Sequence, residues 1–149
     1  MTRSGDVIVK LSVPGSVAFR GRVLEMVERV CRKAVGQERG PEPFVHQMVS
    51  AVGEAFNNIA IHAYNDTNRD EVEVEVSVDS TGVTATLRDF GVAFLPRQAK
   101  PVDMSCFGDL ELPESGMGMH IMRSFVDEVD YRPGSPNVLQ LRKNLLATG

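Results

Sequence analysis

Between residues 71 and 78 the chain alternates without a break: Glu71, Glu73, Glu75 and Ser77 stand between Val72, Val74, Val76 and Val78. A period of two puts the valines on one side of an extended chain and the polar residues on the other, which predicts a strand buried on one face only. Thr81–Gly82 predicts a reversal. Val83–Leu87 then predicts an antiparallel partner, with Thr84, Thr86 and Arg88 facing outward. Val7–Val13 shows the same alternation more weakly and stops at Pro14–Gly15. Val129–Tyr131 and Val138–Leu141 predict two last short strands.

Elsewhere the period is helical. Ser16 is placed to cap a helix whose apolar stripe is Val23, Val27, Val30, Cys31 and Ala34. After a glycine- and proline-rich loop over 36–43, a second stripe of Val45, Met48, Val52, Ala55, Phe56 and Ile59 predicts a helix from about Pro43 to Ala63. A third helix is predicted from near Met117 to about Asp127. Leu95–Ser115 has no period and is interrupted by proline; a stretch this long between elements usually carries function, here as a lid. The order predicts an α+β, two-layer sandwich: a mixed, mostly antiparallel sheet with helices on one face, one domain over residues 1–149.

Composition narrows the function classes. With 42% hydrophobic and 24% charged residues, 149 residues suffice for an ordinary globular core. A net charge of −4 lacks the broad basic footprint of a direct nucleic-acid binder. No apolar run approaches the roughly 18 residues of a membrane span. Val7–Leu11, broken by Lys10, is too short for a secretory signal. Cys31 and Cys106, far apart in the chain, predict free thiols and a reducing, cytoplasmic setting. His46, His62 and His120 have no zinc-motif spacing.

Three stretches carry candidate chemistry. Glu54 and Asn58 are four apart on the second helix and share one face. An amide oxygen can ligate Mg²⁺, and a carboxylate beside it can take a proton from an attacking hydroxyl. Asn57, one step round the helix, is the weaker ligand candidate. Asp89 follows a strand directly, where its carboxylate can accept the amino group of adenine, and Gly91 lets the backbone turn close to a base. Gly116, Met117 and Gly118 open a predicted helix, where exposed N–H groups and the helix dipole favour a phosphate. Alone, each also has a plain structural reading: a solvated helix face, an Asp-x-Gly turn and a flexible loop. The order of the three is what makes an ATP site.

That combination resembles the Bergerat-fold (GHKL) ATPases, which include gyrase and the histidine kinases. It is most similar to the anti-sigma-factor serine/threonine kinases of bacterial partner switching. EAFNNIAIHAY (Glu54–Tyr64), LRDFGVAF (Leu87–Phe94) and SGMGMHIMRSFVDEVDY (Ser115–Tyr131) match the three boxes of that branch, and the likeness spans nearly the whole chain. The resemblance implies ATP and Mg²⁺ as cofactors, Asn58 as the metal ligand and Glu54 as general base. It implies Asp89 and Gly91 at the adenine, and Gly116, Met117 and Gly118 at the phosphates. It further implies an anti-sigma-factor antagonist protein as phosphoryl acceptor, a sigma factor as binding partner, and a homodimer. Arg20 or Arg22 would contact that partner, unless they are simply solvated. Two departures bear on nucleotide affinity. Ala93 replaces the last glycine of the second box, and Pro136-Asn137-Val138 stands where the family usually has Gly-Thr. They leave open a second reading, a partner-binding module that holds nucleotide or none and has no kinase activity. A third, a stand-alone histidine-kinase-type ATPase domain, is told apart by its phosphoryl acceptor.

Overall fold

In the computed structural model, residues 7–35, 42–63, 70–91 and 122–145 are described. Five strands form one sheet: β1 (Val7–Pro14), β2 (Glu71–Val78), β3 (Gly82–Asp89), β4 (Glu128–Arg132) and β5 (Asn137–Asn144). Their order is β1-β2-β3-β5-β4. Each pairing is antiparallel, so among the described residues the sheet is wholly antiparallel rather than mixed.

The alternation in β2 has the predicted outcome. Val72, Val74 and Val76 are fully buried, while Glu73, Glu75 and Ser77 face the open side at intermediate exposure. Register carries that face across the sheet: Glu73 pairs with Arg88, Glu75 with Thr86, and Ser77 with Thr84. On the open face Arg88 binds Glu73 at 2.9 Å, and Gln140 donates to Thr86 Oγ1 at 3.3 Å. The opposite face, with Val83, Ala85 and Leu87 of β3 and Leu139 and Leu141 of β5, is sealed by helices.

Two helices form most of the second layer. Ser16 caps as expected, but it caps a tighter 3₁₀ turn, Val17–Phe19, by accepting the Ala18 N–H at 3.3 Å. The α-helix α1 follows at Arg20–Val35 and buries Val23, Val27, Val30 and Cys31. Burial pushes the Cys31 thiol up to about 12, so it is an inert core group. Helix α2 runs Glu42–Asn58. It buries Val45, Met48, Ala51, Val52, Ala55 and Phe56 completely or nearly so. Beyond Asn58 the winding widens into a π turn, Ile59–Ala63. Such turns accommodate one extra residue and recur near functional sites.

The third predicted helix falls partly outside the described residues. Its described portion, residues 122–125, is helical, and the Val126 N–H closes its last turn on the Met122 carbonyl at 3.1 Å. The helix therefore stops before Asp127, whose N–H already bonds to Arg142 of β5 at 2.8 Å. Leu95–Ser115 lies outside the described residues. Among the described residues no helix is long and apolar enough to cross a membrane.

Candidate nucleotide site

Asp89 is the last residue of β3 and has the parity of Leu87 and Ala85, so its side chain enters the helix-covered layer at 3% exposure. Directly opposite in the ladder stands Asn137, the first residue of β5, at 1% exposure. One amide donates twice: Asn137 Nδ2 reaches Asp89 Oδ1 at 3.0 Å and the Gly91 carbonyl at 3.0 Å. Asn137 Oδ1 in turn accepts the Gly134 N–H at 2.9 Å, which locks the amide orientation. The Gly91 N–H also donates to Asp89 Oδ1, at 2.9 Å. Both donors therefore converge on a single carboxylate oxygen, and among the described residues none is directed at Oδ2.

The electrostatics follow from that arrangement. Burial raises the Asp89 carboxyl above its ordinary value, and the Asn137 and Gly91 hydrogen bonds offset this only in part. A buried acid with one oxygen saturated and one available is an acceptor for an incoming N–H donor.

On α2, Glu54 is half-buried and Asn58 is 5% exposed. They lie one turn apart, beside the apolar stripe, on a helix that packs against β3 and β5. Among the described residues three buried polar atoms have no hydrogen-bond partner: Asn57 Oδ1, Asn58 Nδ2 and Arg20 Nε. Unpaired buried polar atoms cost about 1–3 kcal/mol each, so each calls for a reason beyond the packing of the fold. Arg20 is not the solvated side chain that was one of its two expected states. Its guanidinium lies on α2 over Gly53, so close that a Cβ at that position would collide with it. Arg22 is exposed and sits 5.9 Å from the centroid of the Phe19 ring.

Gly116, Met117 and Gly118 lie outside the described residues, as does Ala93. Met122, next after that glycine box among described residues, is fully buried. Asn137 is the site residue that sequence reasoning undervalued. In the sequence it stands out only as a replacement for the family's usual Gly-Thr; its place opposite Asp89 comes from the register of β5 against β3. A separate cavity of about 470 Å³, lined by Val7, Val9, Val30, Ala34, Val78 and Leu145 among others, opens at the far end of β3 from Asp89. Seven residues of strand, at roughly 3.4 Å each, separate the two places.

A family model described as the histidine kinase-like ATPase domain matches residues 19–143. The chain belongs to that family. This histidine kinase-like ATPase is 31% identical over 103 residues to the anti-sigma F factor of Bacillus subtilis, covering 66% of this chain and 68% of that protein. It is 31% identical over 105 residues to the serine-protein kinase RsbW of Bacillus velezensis, covering 68% of this chain and 65% of that one. Its relatives place it in the anti-sigma-factor kinase branch of the GHKL ATPases. The crystal structure of the RsbU and RsbW domains of a Mycobacterium tuberculosis protein shares the fold, with a TM-score of 0.58 at 15% identity. That match covers 92% of this chain and 32% of the other.

The residues present fit a magnesium nucleotide. Among the described residues no group of three or more His, Cys, Asp or Glu side chains gathers as a metal cage. Mg²⁺ bound with a nucleotide does not need one: it takes one or two protein oxygens, waters and the phosphates themselves. Asn57 leaves an amide oxygen unpaired, which is that kind of ligand, whereas the unpaired atom of Asn58 is its amide nitrogen, so Asn58 would have to turn its amide oxygen toward the ion.

Proposed function

We propose that this ATPase domain is a serine/threonine protein kinase that phosphorylates an anti-sigma-factor antagonist and sequesters a sigma factor in the cytoplasm. The observation that carries the reading is the pair Glu54 and Asn58, one turn apart on the helix that packs on β3, with the Asp89 acceptor at the end of that strand. The names of its relatives support the protein partners. A homodimer is the assembly this reading expects.

In this reading Asp89 Oδ2 accepts the exocyclic amino group of adenine, and Gly91 leaves the base room to approach. Gly116, Met117 and Gly118 hold the phosphates through backbone N–H groups. Asn58 ligates Mg²⁺. When bound, that ion neutralises phosphate charge and aligns the terminal phosphoryl group. Glu54 takes the proton from the attacking serine or threonine hydroxyl of the antagonist. Phosphoryl transfer rests on positioning and charge neutralisation, so this short list is sufficient.

Calorimetry with ATP, with and without Mg²⁺, tests the site first. Mg²⁺-enhanced binding is expected, and no binding at millimolar ATP would replace the kinase with a partner-binding module. Glu54→Ala should lower phosphoryl transfer by about 10²- to 10⁴-fold while leaving ATP affinity nearly unchanged. Undiminished transfer would remove Glu54 from the mechanism. Asn58→Ala should abolish the Mg²⁺ enhancement, and its survival would move the ligand to Asn57. Acid-labile phosphohistidine on the acceptor, in place of acid-stable phosphoserine or phosphothreonine, would favour a histidine-kinase-type domain.

A further inference from the structure

Asn137 is held more firmly than a strand-opening residue needs. It is 1% exposed, donates to both Asp89 Oδ1 and the Gly91 carbonyl at 3.0 Å, and is itself oriented by the Gly134 N–H at 2.9 Å. The ladder already pairs Asp89 with Asn137 through the backbone, so the side-chain bonds are additional to the sheet. Their effect is on the carboxylate. With two donors holding one oxygen in place, the group is fixed in orientation, and among the described residues Oδ2 is the one left for a ligand.

We propose that Asn137 is the positioning residue for base selection: it clamps Asp89 so that Oδ2 demands a ligand N–H donor, and so biases the pocket toward bases with an exocyclic amino group. This rests on the nucleotide-binding reading above and deepens it. A buried acceptor fixed in place discriminates strongly, because a ligand without the donor leaves it desolvated and unpaired. A loosely held carboxylate could turn away and recover solvent, and would discriminate less. Asn137 also ties the Gly91 carbonyl to the same clamp, so the turn after β3 and the acid move as one unit.

The test compares Mg²⁺-ATP with Mg²⁺-ITP, whose hypoxanthine carries a carbonyl where adenine carries its amino group. Both are titrated against the wild-type chain, Asn137→Leu and the isosteric Asn137→Asp, with thermal melts to check folding. The wild type is expected to prefer ATP by at least about tenfold, one hydrogen bond to a charged group. Both variants should reduce that preference to threefold or less, chiefly by weakening ATP. A merely structural role would weaken both nucleotides together and leave the ratio unchanged, which would overturn the assignment while leaving the nucleotide site intact. A wild type that binds both nucleotides equally would overturn it without any variant, even if neither variant folds. A wild type that binds neither would remove the nucleotide reading itself, and the proposal with it.

Discussion

Asp79 and Asp89 flank the same strand and have opposite characters. Asp79 stands just before β3, in the turn that joins it to β2, and is exposed. Its carboxylate accepts the Thr81 N–H at 2.7 Å, the Gly82 N–H at 2.9 Å and the Thr81 hydroxyl at 2.9 Å, and pairs with Arg142 at 3.2 Å. The Arg142 hydrogen bond, followed by those from Thr81, holds it well below the usual carboxylate range. Asp89, at the other end, has two neutral donors and no ion pair among the described residues, and burial pushes it up. One aspartate is spent on holding a turn together. The other is kept under tension, with an oxygen in reserve. Where a protein satisfies a carboxylate completely, the group builds the fold; where it withholds a partner, the group is available for a ligand.

The sharpest way to break this comparison is Asp89→Asn. The amide keeps Oδ1 as an acceptor but loses the charge, so ATP affinity should fall by about 10- to 100-fold. The unliganded protein should nonetheless melt higher at neutral pH. The sign is set by linkage: a carboxyl whose folded value is raised costs stability once ionised, and costs nothing below its unfolded value. The gain from Asp89→Asn should therefore shrink as pH falls toward the ordinary aspartate range. Melts over that range check it, and a variant less stable at pH 7 would refute the strained-acid account.

A smaller effect should come from Asp79→Ala. It removes the acceptor for two backbone N–H groups in an exposed turn, which costs about 1 kcal/mol after allowance for solvent. Nucleotide affinity should not change, because the turn is a strand length away; a loss of ATP binding would merge the two ends. Asp79 has a lowered folded value, so its contribution is present above the unfolded aspartate value and is lost only as pH falls through the lower one. The smallest effect is expected for Gly53→Ala. Arg20 must shift its flexible end, while the helix gains about 1 kcal/mol of propensity, so the net change in melting should be within a few degrees.

The layers of the fold were legible because burial writes its period into the chain. Val72–Val78 alternates because one face of β2 meets helices and the other does not, and Val45–Ile59 repeats helically for the same reason. Glu54, Asn58 and Asp89 were legible as residues because their types and order are chemically unusual together. What could not be read was orientation. Nothing local says that Asn137 pairs with Asp89 in register, since that depends on β5 entering between β3 and β4. The π turn was equally hidden: Ile59–Ala63 keeps a helical apolar pattern, and the wider winding changes only the backbone bonds. Arg20 reads as a surface residue until Gly53 is seen to offer it a slot.

The bond between Asp89 and Asn137 joins residues 48 apart in the chain. Such a contact forms only after a long loop has closed and β5 has found its place beside β3, so the acceptor geometry is a late product of folding rather than a property of any local segment. A partly folded chain has no clamp. A ligand that requires the clamp therefore binds only the assembled sheet, and its binding free energy is added to the cooperative stability of the whole.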